Sequence, residues 1–384
     1  MRALRLGVYT DYSYRRHPDG LYTDRAFIVF LAGVARNVER LVLLGQMRPD
    51  LPGAHYRVPA EIDFRPLPTY PSLVHAAALP AMARSLRAFW RTLDDVDAVW
   101  LLGPHPLAIA YALIALLRRT PVALGVRQNF PVYVRSRHPG RRAVHLAGDL
   151  LERAYRLLAR RCPTVVVGPE LARHYRRAGR LLPISVSLVS RSDLTSVEAV
   201  LAREPGRRPL TAVSVGRLET EKNPLMLADV AARLGDDWRL VICGEGPLED
   251  ELRARIDSLG VADRVDLRGY LPLDGGLMDL YRSADALLHV SWTEGVPQVL
   301  LEAFAAGTPV VATAVGGVAE AVGEAALLIP PGDPDAAARA LGRLASEPGL
   351  SARLAERGLE RVRTRTLEAE SARVAAFLTG VNSQ

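Results

Sequence analysis

Lysine is almost missing from this chain. Of 49 basic residues among 384, 48 are arginine and one, Lys222, is lysine. A composition that drops lysine everywhere else and keeps it once points to a need for a compact ammonium that a planar guanidinium does not fill. Cysteine is scarce too. Cys162 and Cys243 stand far apart, beside or inside apolar runs. That excludes a disulfide framework and fits reduced core thiols of a cytoplasmic protein. No secretory leader is read, because the apolar run from Leu4 to Tyr9 is short and leads straight into Thr10-Asp11. The charge-free stretch Ala98–Leu117 is broken by Gly103-Pro104-His105-Pro106. It reads as a buried strand (Ala98–Leu102), a turn and a buried helix (about Leu107–Leu117), not a membrane span. His, Cys, Asp and Glu do not cluster at metal-ligand spacing, so neither a metal nor a cofactor is expected. Asp95-Val96-Asp97 precedes a buried strand instead of ending one and reads as a turn. Base-stacking aromatic clusters and nucleic-acid motifs are missing, which argues against a nucleic-acid partner.

What the chain has in excess is arginine before its midpoint. Residues 1–190 hold 28 Arg against 13 Asp and Glu, and residues 191–384 hold 21 Lys and Arg against 29 Asp and Glu. The basic half suits an anionic partner such as a membrane surface or a phosphorylated or lipid-linked acceptor, and an ordinary arginine-rich surface fits as well. Much of this charge lies in Arg135–Arg142 and in a helix from about Val144 to Arg161. Arg153, Arg156 and Arg160 share one face of that helix. Leu150, Leu151, Leu157 and Leu158 are expected on its buried side, whether the helix lies on a membrane or belongs to an ordinary core.

Apolar runs alternate with helical periods along the whole chain, the pattern of α/β folds with two Rossmann-like doubly wound domains. The first strand is expected at Leu6–Tyr9, followed by a polar loop to Gly20, a helix over Leu21–Ala35 and another over Leu73–Trp90. The first domain is expected to span 1–190 and the second 191–364. His105 and Arg127 follow the strands Ala98–Leu102 and Val122–Val126, at the edge where such sheets place ligands. A capping or core histidine and a solvent-facing arginine are the plain alternatives.

The most informative stretch runs from Ser291 to Gly317, SWTEGVPQVLLEAFAAGTPVVATAVGG. Leu287–Val290 predicts a buried strand and Glu294-Gly295-Val296-Pro297 the turn after it. Pro297 opens a helix that ends near Ala306 and stops at Gly307. Glu294 lies in the turn and Glu302 in the helix. Free helix-start N–H groups, near Val299 and Leu300, lie between them and favour an anion. A phosphate held there, flanked by carboxylates that accept hydroxyl hydrogen bonds, is the layout expected for a sugar nucleotide. Carboxylates so spaced also occur on ordinary helices, as solvated side chains. Earlier, Gly216-Arg217-Leu218-Glu219-Thr220-Glu221-Lys222-Asn223-Pro224 ends the strand Leu210–Val215 and contains the lone lysine. Gly244-Glu245-Gly246-Pro247 lacks the third glycine of a dinucleotide fingerprint but suits close approach by a nucleotide or its pyrophosphate. Gly316-Gly317 is expected to allow a flexible approach to a ligand.

E-G-x-P before the helix, A-A-G-T-P-V-V-A-T after it and G-R-L-x-x-x-K-N resemble the signatures of retaining GT-B glycosyltransferases of family 4 (glycosyl transferases group 1). The likeness is strongest from about Leu210 to Pro331. It implies two Rossmann-like domains facing a central cleft, the N-terminal one for the acceptor and the C-terminal one for a nucleoside diphosphate sugar. It also implies that a helix in 365–384 crosses back to the first domain. By the resemblance, Arg217 and Lys222 neutralise the departing diphosphate, and Glu294 with the backbone of Gly295, Val296 and Pro297 holds the sugar. Val299 and Leu300 face the phosphates, Glu302 accepts ribose hydroxyls, and Gly216, Gly244, Gly246 and Arg268 complete the donor site. His105 faces the sugar. Arg127 and Gly20, standing where many members carry a Gly-Gly pair, belong to the acceptor side. The activity implied is metal-independent retaining transfer to a glycan, lipid-linked or small-molecule acceptor, in the cytoplasm or peripherally at an anionic membrane. An epimerase or phosphorylase on the same fold, and a non-catalytic sugar-nucleotide-binding subunit, are the alternatives.

Overall fold

The computed structural model of the protein describes residues 4–51, 53–69, 78–138, 140–202 and 208–381. The chain divides into two compact units, Met1–Val186 with Leu367–Gln384, and Ser187–Thr366. The first contains strands β1 (Arg5–His17), β2 (Gly20–Thr23), β3 (Arg40–Met47), β4 (Tyr56–Arg57), β5 (Ile62–Leu67), β6 (Ala98–Gly103), β7 (Val122–Val126), β8 (Thr164–Val167) and β9 (Leu181–Ile184). Seven of them run parallel in the order β5-β3-β1-β6-β7-β8-β9. β6 (AVWLLG) and β7 (VALGV) are buried at every residue, as parallel strands covered on both faces must be. The winding direction reverses between β1 and β6, so the carboxyl ends of these two strands open onto a crevice.

β1 differs from expectation. It continues past Tyr9 to His17 and forms an antiparallel hairpin with β2, which pairs in turn with β4. The register shifts between Tyr9 and Ser13, and pairing with β6 ends at Tyr9. The aromatics Tyr12, Tyr14 and Tyr22 favour extended backbone here despite the polar sequence. Gly20 therefore lies in the hairpin opposite His17, not in a ligand-facing loop, and the next helix starts only at Phe27. A helix spans Leu79–Thr92, and the earlier part of the helix expected from Leu73 falls outside the described residues.

The helix Arg142–Ala159 also departs from expectation. Its buried face is Gly148, Glu152, Tyr155 and Ala159, while Leu150 and Leu157 are exposed. The Tyr155 hydroxyl donates to the Leu101 carbonyl at 2.6 Å, which turns this face inward and the leucines outward. Ala98–Leu117 forms β6 and the helix Pro106–Leu117. Among the described residues no helix is long and apolar enough to cross a membrane.

The second unit contains β10 (Leu210–Val215), β11 (Trp238–Cys243), β12 (Val265–Gly269), β13 (Ala286–His289), β14 (Val310–Thr313) and β15 (Ala326–Ile329). All are parallel, in the order β12-β11-β10-β13-β14-β15, with the reversal between β10 and β13. The change of unit falls after Val186, four residues before the expected boundary, because Val189 packs into the second core with Val213 and Phe304. Leu367, Val374 and Leu378 of the last helix (Leu367–Thr379) pack in the first core with Phe30 and Leu31.

Candidate active site

The reversal between β10 and β13 fixes where the chemistry of the second unit collects. The loop after β10 carries Arg217 and Lys222, and the loop after β13 carries Ser291 and Glu294. Lys222 Nζ reaches Glu294 Oε1 at 2.5 Å, and Ser291 Oγ donates to the same oxygen at 2.7 Å. His289, the buried last residue of β13, places Nε2 3.2 Å from that oxygen, outside hydrogen-bond geometry. Burial alone would raise the Glu294 pKa. The adjacent His289 and the Lys222 charge outweigh burial and bring the carboxyl down to about 2. The two loops are also joined through backbone, Trp292 N–H donating to the Glu221 carbonyl at 2.9 Å. Gly216, Arg217, Lys222, His289 and Ser291 line one small cavity of about 20 Å3, room for roughly one water. Arg217 is half-exposed and bonded to carboxylates of its own loop, Glu219 at 2.5 Å and Glu221 at 3.2 Å.

The helix after the second loop is Gln298–Ala305. Pro297 is extended and precedes it, so Val299 and Leu300 fall in the first turn as expected. The Leu300 N–H meets the Pro297 carbonyl at 3.3 Å. Glu302 is not a solvated helix residue. It is buried, and its Oε2 accepts a 2.9 Å hydrogen bond from the Tyr281 hydroxyl. Burial pushes its pKa up to about 7, with the Tyr281 bond opposing.

Two of the glycines singled out by the sequence have a packing role. Gly244 has φ +146°, and a Cβ there would stand 1.9 Å from the Gly216 carbonyl oxygen. Gly316 has φ +50°, and its Cβ would stand 1.9 Å from the Glu294 carbonyl oxygen. These residues let neighbouring loops touch backbone to backbone. They act as clamps between loops. Gly246 is likewise packed on the Leu218 backbone, whereas nothing stands within 4 Å of a Cβ at Gly216. Arg268 is set apart on the edge strand β12, paired with Asp266 at 2.8 Å.

In the first unit, the bulge after Tyr9 presents Asp11 at the carboxyl edge of the sheet. Arg127, following β7, donates to Asp11 Oδ1 at 2.6 Å and lies over the Tyr12 ring, 4.3 Å from its centroid. Burial raises the Asp11 pKa, but the charges of Arg127 and His105 outweigh it and leave the carboxyl below its ordinary value. His105 caps the helix Pro106–Leu117, its Nδ1 accepting from the Leu107 N–H at 3.2 Å and lying 3.0 Å from the Tyr9 hydroxyl. Accepting at Nδ1 assigns the proton of the neutral ring to Nε2. Burial lowers the His105 pKa, with the Asp11 charge opposing.

Sequence reasoning missed Asp11, Tyr281, His289 and Ser291. Asp11 ends the first apolar run and His289 is the one polar residue of ALLH, so both carried a signal. Tyr281 carried none, because its partner Glu302 lies 21 residues away.

Residues 203–361 match the family described as glycosyl transferases group 1. The chain is similar to a 2-deoxystreptamine N-acetyl-D-glucosaminyltransferase of Streptomyces fradiae, 30% identical over 346 residues, 80% of this chain and 78% of that protein. It is 37% identical over 232 residues to a D-inositol 3-phosphate glycosyltransferase of Salinispora tropica, 56% of this chain. There the chain spans about half of its relative, 45% of the length. Among solved structures, Anabaena HepE in complex with UDP superposes with a TM-score of 0.73 at 18% identity, covering 98% of this chain and 100% of that one. The fold is of the GT-B type, with two Rossmann-like domains.

Proposed function

The chain belongs to the glycosyl transferases group 1 family, and from that premise we propose that it moves a sugar from a nucleoside diphosphate sugar to an acceptor hydroxyl. Transfer retains the anomeric configuration and uses no metal ion. The observation that carries this reading is the contact of the chain's single lysine with Glu294, made where the winding of the second sheet reverses. Ligands of open α/β sheets bind at such a point.

The chemical problem is the anomeric C–O bond, whose breaking leaves extra negative charge on the diphosphate. Lys222, helped by Arg217, neutralises that charge, the task a metal performs in other transferases. Binding draws Lys222 from Glu294 to the phosphate, and the freed carboxylate accepts sugar hydroxyls. The first-turn N–H groups of the helix Gln298–Ala305 add partial positive charge at the phosphates. Glu302 accepts ribose hydroxyls. The acceptor oxygen forms its new bond on the face the diphosphate leaves, and its proton goes to the departing phosphate oxygen. No protein base is then required. HepE was solved with UDP, so uridine nucleotides are the first donors to try. On the first unit, Asp11, Arg127 and His105 are the groups we assign to the acceptor, a small polyol or a glycan.

The test is a panel of nucleoside diphosphate sugars screened by thermal shift and then for turnover. Lys222→Ala is expected to raise the barrier by about 2–4 kcal/mol, which lowers kcat on the order of 30- to 1000-fold. Wild-type turnover by that variant removes the phosphate role. Activity abolished by EDTA and restored by a divalent ion overturns metal independence. Inverted stereochemistry at the product's anomeric carbon overturns retention.

A further inference from the structure

The outward face of the helix Arg142–Ala159 carries Leu146, Leu150 and Leu157, exposed by 59%, 53% and 62%. Arg153 lies between them on the same stripe and Arg160 follows one turn on, all at helical spacing. One exposed leucine needs no account, whereas three in a stripe with one arginine among them and another one turn on mark an interaction face. Beside the stripe, a pocket of about 310 Å3 is lined by Arg153, Arg156, Arg160, Arg177, His174 and Tyr175. Among the described residues no carboxylate is paired with any of these four guanidiniums. Glu152, in the buried face of the helix, is held by His174 Nε2 at 3.1 Å. The buried Tyr175 hydroxyl stands beside the Glu152 carboxylate.

We propose that this face docks on an anionic phospholipid surface, with the arginine pocket taking a headgroup phosphate and the three leucines entering the acyl boundary. A helix with leucine and arginine together on its free face is built for that interface. A soluble phosphate would use the pocket and leave the leucines without a role. A polynucleotide would call for stacking aromatics, which this face lacks. Docking is independent of the transferase reading, since it is measured without any nucleotide sugar.

The experiment is flotation of the full-length protein with vesicles of phosphatidylglycerol or of phosphatidylcholine. Flotation is expected with the anionic vesicles alone, and salt of about 0.5 M is expected to release the protein. Replacing Arg153, Arg156 and Arg160 by Gln together should lower partitioning on the order of 100-fold. Leu146→Ser with Leu150→Ser and Leu157→Ser should weaken it too, with an unchanged thermal melt confirming that this exposed-face variant folds. No flotation with the anionic vesicles overturns docking, as does flotation that neither triple variant reduces. Pyrophosphate binding by calorimetry without vesicle binding would reassign the pocket to a soluble ligand. An oligonucleotide that binds more tightly than vesicles would reassign it to nucleic acid. Either result overturns the proposal.

Discussion

Glu294 and Glu302 are both buried carboxyls, and their surroundings drive them in opposite directions. Glu294 faces an ammonium, a serine hydroxyl and a histidine, and its pKa falls to about 2. It therefore stabilises the fold above pH 4.5 by about 3 kcal/mol, and this is lost as pH falls toward 2. Glu302 has a phenol for a partner and no cation, and its pKa rises to about 7. Between pH 4.5 and 7 the folded protein keeps a proton there that the unfolded chain has released. Stability consequently drops by about 3 kcal/mol as pH rises through that window and stays lower above it. Glu302→Gln should match wild type in urea melts at pH 5 and exceed it at pH 8. A difference that does not change with pH would refute the raised pKa. If the ionised carboxylate is what accepts the ribose hydroxyls, donor affinity should rise up to about tenfold between pH 6 and 8 in wild type and stay flat in Glu302→Gln. Unchanged donor titrations in both would remove the ribose assignment.

At the scale of elements, the loops that follow β10, β11, β13 and β14 hold one another in place. Gly316 has its α-carbon against the Glu294 carbonyl, and Gly244 against that of Gly216. A methyl group at Gly316 meets backbone at a positive φ, so relief requires the whole 291–297 loop to shift. Gly316→Ala should destabilise by on the order of 3 kcal/mol and displace Glu294 from Lys222. Gly342, inside the helix Pro334–Ser346 with nothing within 4 Å of its Cβ, is the contrast. Gly342→Ala should stabilise by about 0.5–1 kcal/mol. Chemical denaturation of both variants checks the pair, and equal effects would refute the clamp. The strand–turn–helix–strand around Glu294 was legible because Pro297, Gly307 and a run of apolar residues punctuate it. The β1–β2 hairpin was not, since SYRRH gives no apolar alternation and is held extended by pairing with β2 and, at Ser13 and Tyr14, with β3. The Lys222–Glu294 contact was half legible: each residue stood in its own motif, but that the two meet depends on β10 lying beside β13. The outward turn of Leu150 and Leu157 was illegible, because it follows from Tyr155 reaching the Leu101 carbonyl on another strand.

For the whole molecule, the route of the chain makes the two units unequal in what they require. Every buried side chain of the second unit's cores lies between Val189 and Val362, so that unit is continuous in sequence. The first is closed by residues from the far end. Leu367, Val374 and Leu378 pack in its core, and buried Glu370 accepts the Ser185 N–H at 3.0 Å and pairs with Arg373. Three buried aliphatic side chains are worth about 5–8 kcal/mol, comparable with the entire stability of an ordinary domain. Removal of Leu367–Gln384 should therefore unfold the first unit and leave the second standing. Amide hydrogen exchange read by mass spectrometry distinguishes the units. Protection should vanish from β1, β3 and β6 and persist in β10, β11 and β13, and any nucleoside diphosphate sugar that shifts the melt of the intact protein should still bind if its site is confined to the second unit. Protection lost equally from both would mean that the second unit does not stand on the continuous core its sequence provides. Protection kept in β1 would mean that the last helix adds little to the first.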